Sequence, residues 1–462
     1  MKSLILSLVS LGLLGGGTVA PARPNLIVIL ADDLGWADLG CYGNTFNETP
    51  NLDRLVQQGM RFTQAYAGPV CSPTRTNLQS GQDQARFGIT QHIPGHRRPF
   101  AKLIDPVVEL QLPLDVETFA ERIGAAGYKT GYFGKWHLGG AGFGPKEQGW
   151  QTALEIQGQT VAPAISGSAE TRRMADFLTE KAVSFIEGAK GQPFLLQVSH
   201  YAVHIPLSTT PELLKKYQAR KAMPGYPSHA EYAGLLEELD QSVGKIVATV
   251  DRLGLAENTL IVFISDNGGL EHEQSGRRVT SNLPLRGEKG SLYEGGIRIP
   301  AIVRWTGKVP AKTVSDTPII TMDWYPTLTE LANAPATKKQ PQDGTSLTKL
   351  ITDPKAKLAR DTLTWHLPHY HHSTPASAIR RGDWKLIEFF ETGALELYNL
   401  ANDRGEKTDL ANTEPARAKE LQAALAAWRK EVGARMPVPN PKYDPARANE
   451  LGKEAGPRKK AR

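Results

Sequence analysis

Four short apolar runs along the chain each end abruptly in polar residues. Residues 25–31 (NLIVILA) run into Asp32-Asp33, and residues 130–134 run into Lys135 and His137. Residues 194–199 (FLLQVS) lead to His200 and His204, and residues 259–265 (TLIVFIS) end at Asp266-Asn267-Gly268-Gly269. Near-continuous apolar runs of this length predict strands buried on both faces, as in a parallel sheet. Helical patterns lie between them. Residues 116–126 stop at Gly127, a natural cap. Tyr232, Leu235, Leu236, Leu239, Val243, Ile246, Val247 and Val250 form a stripe at helical spacing, read as core packing. Alternating strands and helices predict an open α/β sheet with right-handed crossovers. The polar clusters then share the C-terminal edge of that sheet, where ligands bind in such folds.

Beyond about residue 350 the texture changes. Residues 378–390 (AIRRGDWKLIEFF) and 395–400 (LELYNL) read as a hairpin-like antiparallel sheet, followed by a helix over about 414–432. The expected fold is therefore α/β: a large mixed, mostly parallel sheet flanked by helices, with a smaller C-terminal antiparallel-sheet subdomain. The expected divisions are a leader over 1–22, a catalytic domain over 23–350, the subdomain over 351–436 and a basic, flexible tail over 437–462.

Length and charge narrow the function. A chain of 462 residues can bury a substantial core, and its formal net charge is +6. Residues 442–462 hold seven basic and three acidic residues, so about four of those charges sit in the tail. A nucleic-acid role would need basic residues along a face with stacking aromatics, and the sequence offers none. Lys2, the apolar residues 4–14 and a small-residue site at Thr18-Val19-Ala20 or Ala20-Pro21-Ala22 read as a secretory signal. No run reaches membrane-spanning length, so a secreted or periplasmic protein without a transmembrane segment is expected. The two cysteines, Cys41 and Cys71, would by default form a disulfide in that compartment.

The surroundings of Cys71 argue for another role. In Cys71-Ser72-Pro73-Thr74-Arg75, Pro73 suits the first turn of a helix, which puts Cys71 at a helix N-terminus that favours anions. A buried cysteine in a turn and an activated thiolate both fit this spacing. Asp32, Asp33, Asp266 and Asn267 offer only oxygen ligands, suited to calcium or magnesium rather than zinc. Taken alone, such pairs are more often turns or helix caps.

The string CSPTR matches the C-x-P-x-R signature of the type I sulfatases, members of the alkaline-phosphatase-like superfamily, and the chain resembles that family over most of its mature length. Ala31-Asp32-Asp33-Leu34-Gly35 resembles the family's first metal-binding turn, and Gly134-Lys135-Trp136-His137-Leu138-Gly139 its second signature. Residues 265–269 (SDNGG), 290–296 (GSLYEGG) and 397–400 (LYNL) resemble later motifs. The resemblance implies that a maturation enzyme oxidises Cys71 to formylglycine. It further implies a sulfuric ester hydrolase with one calcium ion on Asp32, Asp33, Asp266, Asn267 and the modified Cys71. Cys41 is then left as a small buried filler.

The same resemblance assigns roles. Lys135 and Lys289 would hold sulfate oxygens and Arg75 the formylglycine. His204 would protonate the departing alcohol, and His137 would take a proton from the hydrated aldehyde. The aldehyde makes turnover easy, because an ordinary Ser or Cys would be trapped as a sulfated enzyme. His200 is a further substrate candidate. Two segments are expected as substrate-facing loops at the mouth of the site. One is the insert over 91–102 with His92, His96, Arg97 and Arg98; the other is residues 365–372, with His366, His369, His371 and His372. Ordinary loop histidines fit both segments as well. The expected substrate is a sulfated carbohydrate. Two rivals stand beside this reading: a phosphomonoester or phosphodiester hydrolase of the same superfamily, and an inactive sulfated-glycan binding protein. The former typically carries Asp-His where this chain has Asp266-Asn267. The latter predicts that Cys71 stays a thiol.

Overall fold

A computed structural model describes residues 23–156 and 173–452. The expected leader, residues 1–22, lies outside the described residues. At the centre, the strand Asn25–Ala31 pairs in parallel with Phe194–Ser199 on one side and Thr259–Ser265 on the other. Every residue of all three is buried, which is why their sequences show no polar alternation. Lys129–Gly134 and Thr152–Leu154 extend one flank in parallel. On the other flank Arg298–Arg304 runs antiparallel to both Thr259–Ser265 and Met60–Tyr66. Two short strands, Thr313–Ser315 and Ile319–Ile320, pair in parallel with Met60–Tyr66 and complete a nine-stranded mixed sheet.

Helices seal both faces. Leu26, Val28 and Leu30 point into one apolar cluster, with Phe119, Ile123 and Leu328 from the helices Phe119–Ala125 and Trp324–Leu331. Ile27, Ile29 and Ala31 point into the other. There they meet Leu178 and Ile186 of the helix Met174–Gly188, and Leu236, Val243 and Ile246 of the helix Ala230–Arg252. Register then does the work of placing chemistry. Ala31 lies opposite Ser265, Leu30 opposite Ser199, and Ser199 opposite Gly134. The residues that follow these strands therefore leave the sheet at one level and one edge.

The C-terminal sheet has four antiparallel strands: Thr362–Leu367, Ala376–Arg381, Trp384–Phe389 and Leu395–Asn399. The helix Pro415–Glu431 covers one face through Leu421 and Leu425. The other face packs Trp365, Leu367 and Ala378 against Tyr66 of the large sheet and Ile297 of the short helix Glu294–Ile297. Between the two sheets Lys385 bridges Glu294 and Glu406, at 2.9 and 2.8 Å.

Several expectations change. The helix expected over 116–126 begins at Phe119, because Thr118 and Glu121 form a reciprocal capping box. His366 belongs to the Thr362–Leu367 strand and not to a loop. The tail expected to be flexible is docked as far as residue 452. Val438–Pro439 pairs with Leu103–Ile104, Asn440 donates to the Pro99 and Ala101 carbonyls, and Arg447 stacks on Phe100. Both cysteines are free thiols, and Cys41 is half-buried rather than a fully buried filler.

Candidate active site

Cys71 opens the helix Cys71–Ser80, with extended Val70 as its cap. The Thr74 hydroxyl accepts from the Gly68 amide and fixes the approach. Ser72 ties the helix to its neighbours: its hydroxyl donates to the His137 carbonyl at 2.9 Å and accepts from the Ile93 amide at 3.1 Å. Gly134 permits the turn that delivers Lys135 and His137. Its φ is +116°, and a Cβ there would lie 1.9 Å from the Ser199 carbonyl oxygen. Asp33 and His137 both hold φ near +60°, a strained conformation for such residues that clusters at functional sites.

The charged groups interlock at the sheet edge. Arg75 donates to Asp266 Oδ2 from Nη2 at 2.8 Å and from Nε at 3.2 Å, and to the Lys135 carbonyl at 2.5 Å. Lys135 Nζ lies 2.5 Å from Asp32 Oδ2 and 3.7 Å from Cys71 Sγ. Lys289 Nζ lies 2.6 Å from Asp33 Oδ1, and His204 Nε2 lies 3.6 Å from Asp33 Oδ2. The Asp33 amide donates to Asp266 Oδ1, and Asn267 Nδ2 donates to Asp33 Oδ1. Burial alone would raise the Asp32 carboxyl; Lys135, His204, Arg75 and Lys289 outweigh it and hold the group ionised. Burial lowers both His137 and His204, the latter against the pull of the Asp33 and Asp32 carboxylates. It also pushes the Cys71 thiol up to about 12, against the pull of Lys135 and Lys289. An unmodified thiol there is protonated and a poor nucleophile.

These residues can hold a hard cation. Asp32, Asp33, Cys71 and His204 each bring a donor atom within 4.8 Å of the others. Among the described residues, Asp32 Oδ1 and Asn267 Oδ1 are buried without a hydrogen-bond partner, a costly condition that a coordinated cation removes.

Above this layer a cavity of about 550 Å³ opens, lined by Cys71, Lys135, His137, His204 and Lys289. His371 and His372 line it too, and His372 Nδ1 donates to the Lys289 carbonyl at 2.6 Å. The other expected substrate contacts lie elsewhere. His200 is buried beside the Ser242 hydroxyl, under the helix Ala230–Arg252. His369 is buried against Thr90, and His366 is held by Ser377 and the Arg435 carbonyl. Arg98 stacks on Tyr370 and donates to the His371 carbonyl, bracing the rim from behind, and neither it nor Arg97 lines the cavity. His92 and His96 from the same insert do line it. The sequence reading passed over Glu155, Ile156, Tyr201, Leu270 and His272, which complete the wall. Tyr201 lies two residues beyond the end of the Phe194–Ser199 strand, a signal legible in the sequence. Glu155 follows a three-residue edge strand too short to read.

The chain is similar to known proteins over most of its length. Residues 24–334 match the family profile described as Sulfatase, and residues 287–431 match the one described as N-sulphoglucosamine sulphohydrolase, C-terminal. The chain is 30% identical to a sulfatase of Formosa agariphila, over 88% of this chain and 89% of that one. It is also 30% identical to human arylsulfatase A, over 89% and 88%. Among solved structures it resembles Ps i-CgsB in complex with k-i-k-neocarrahexaose, with a TM-score of 0.77 and 27% identity over 91% of this chain and 94% of that one.

Proposed function

The chain belongs to the sulfatase family and is a sulfuric ester hydrolase; from that premise we propose that it desulfates carbohydrates using a formylglycine made from Cys71 and one calcium ion. The observation that carries the proposal is the buried group of Asp32, Asp33, Cys71 and His204, with Lys135 and Lys289 bonded to its carboxylates. Asp32, Asp33, Asp266 and Asn267 would hold the ion together with the modified Cys71. Their oxygen-only donor set and the two unpartnered oxygens favour calcium over zinc.

Bound there, calcium supplies charge neutralisation for a sulfate oxygen. A formylglycine at Cys71 would supply, as its hydrate, a nucleophilic hydroxyl and a second hydroxyl whose proton can be removed, so that the enzyme need not stay sulfated. The protein's own groups do the rest. Lys135 and Lys289 face the remaining sulfate oxygens, in a site dry enough to make each contact strong. Arg75, clamped by Asp266 and the Lys135 carbonyl, fixes the base of the nucleophile. The Ile93 carbonyl can only accept, so His137 carries its hydrogen on Nε2, bonded at 2.7 Å. Among the described residues its Nδ1 has no partner, and it keeps the lone pair that a base requires. His204 sits across the cavity beside Asp33, whose carboxylate favours the protonated imidazole, and in that form it donates a proton to the leaving alcohol.

The substrate reading draws on Ps i-CgsB, whose structure is a complex with k-i-k-neocarrahexaose, and on a rim rich in histidine. Galactose and N-acetylhexosamine sulfates are the first candidates. Secretion through the leader, and a maturation enzyme acting on Cys71 during export, complete the proposal. Screening the matured protein against defined sulfated mono- and disaccharides tests it; sulfate release from at least one is the expected result. Two zinc ions per chain, with phosphodiesters cleaved faster than any sulfate ester, would overturn it.

A further inference from the structure

A second cavity, of about 530 Å³, lies where the turn after the Leu395–Asn399 strand meets the large domain, and it shares no lining residue with the Cys71 cavity. Trp36 forms its floor, edge-on to Tyr42. Three arginines converge on these rings: Arg298 and Arg404 lie over Trp36, and Arg61 lies over Tyr42.

The charges do not cancel. Arg298 is paired with Glu294 at 3.2 Å. Arg61 donates to the Cys41 carbonyl and Arg404 is exposed, and among the described residues neither has a carboxylate within ion-pair distance. Asp316, the one acidic residue of the wall, is engaged by the Thr63 hydroxyl. Two guanidiniums without an ion-pair partner therefore face one concavity against the single carboxylate of Asp316, an excess of one positive charge suited to a sulfate or carboxylate. Beside them Leu283, 64% exposed, and Pro284 offer apolar surface of the kind a sugar's C–H face covers. The space is far larger than a lone sulfate ion needs and lies in the range of small-ligand sites.

We propose that this cavity is an accessory binding site for a sulfated saccharide unit, distinct from the catalytic pocket. The choice of a saccharide rests on the carbohydrate-sulfatase reading above; the site itself rests on the arginine and aromatic geometry. Such a site would hold a polymeric substrate on the enzyme and leave small sulfate esters unaffected.

The test uses full-length matured enzyme carrying Arg404→Ala, and Arg61→Ala with Arg404→Ala. Arg404 makes no hydrogen bond among the described residues, so its loss does not threaten folding. On a size-fractionated sulfated galactan oligosaccharide the KM should rise roughly tenfold, the size expected for one lost charge-assisted contact, with kcat unchanged. Rates on 4-nitrophenyl sulfate should stay at wild-type values. In parallel, titration of the Cys71→Ala chain with the oligosaccharide should give two sites, reduced to one by the arginine substitutions. The desulfated counterpart should occupy neither. An unchanged KM and stoichiometry would overturn the proposal, as would equal losses on both substrates. Inorganic sulfate filling the second site as tightly as the oligosaccharide would overturn the saccharide assignment. Absence of turnover on every sulfate ester would count against the function instead, and the titration would still decide the cavity.

Discussion

Replacing Lys289 with methionine keeps most of the side-chain volume and removes one charge from a buried, balanced set. Three carboxylates, Asp32, Asp33 and Asp266, face three cations, Arg75, Lys135 and Lys289, and all six are buried. Lys289 Nζ is 2.6 Å from Asp33 Oδ1 and reaches the cavity wall. Two unit charges 4 Å apart at an effective dielectric of about 20 interact by about 4 kcal/mol. Removing one donor from a preorganised anion site typically costs about 2.7–4 kcal/mol. At about 1.36 kcal/mol per decade, kcat/KM should fall roughly 10²- to 10³-fold. Calcium affinity should hold or rise, because Asp33 loses a competing cation. Initial rates on 4-nitrophenyl sulfate at saturating calcium, normalised to formylglycine content, measure the effect, with a thermal melt to check the fold. A loss smaller than roughly threefold would refute the electrostatic reasoning. So would a large loss that extra calcium fully repairs.

His204→Gln should cost roughly 10²- to 10⁴-fold on a sugar sulfate and much less on 4-nitrophenyl sulfate, whose leaving group needs no proton; equal losses would remove His204 from the acid role. Lys385→Met should lower unfolding stability in urea by about 3–5 kcal/mol, because Glu406 is left buried without its cation while Glu294 keeps Arg298; a loss under about 1 kcal/mol would contradict the bridging role. Burial lowers His200 and His366 from 6.5 to about 4. The unfolded chain thus binds more protons between those values, so this stability is complete above about pH 6.5 and is lost as pH falls toward 4, by up to about 3 kcal/mol per histidine. His200→Asn should flatten that profile and leave kcat intact; an unchanged slope would refute the assignment.

The sequence made the strand ends legible because a parallel sheet hides its strands on both faces, so each polar residue that follows stands out. Asp32, Lys135 and Asp266 could be grouped on that ground alone, and the observed register brings them to one level. The same logic misplaced His200. Its amide still bonds the Leu30 carbonyl, so the sheet continues through it and its ring turns beneath the helix toward Ser242. His204 reaches the cavity because the chain has by then turned back over the edge. In the C-terminal segment, Leu363, Trp365 and Leu367 alternate as a strand does, but the density of histidine drew attention to loop chemistry instead. His369 and Arg98 could not be sorted from His371 and His372 by pattern, because their roles depend on a loop packed from a distant insert. The docked tail was equally hidden, because Asn440 docks on backbone carbonyls, which carry no sequence signature, and Arg447 on a ring in a distant insert.

The central claim is that Cys71 is a precursor and not the working residue. Protein purified from a host that has the maturation enzyme should yield a Cys71 peptide lighter by the exchange of H₂S for O and reactive toward a hydrazine probe. Sulfate release should scale with the converted fraction, and Cys71→Ser should fold and turn nothing over. Full activity in a preparation whose Cys71 peptide carries only the intact thiol would contradict the account.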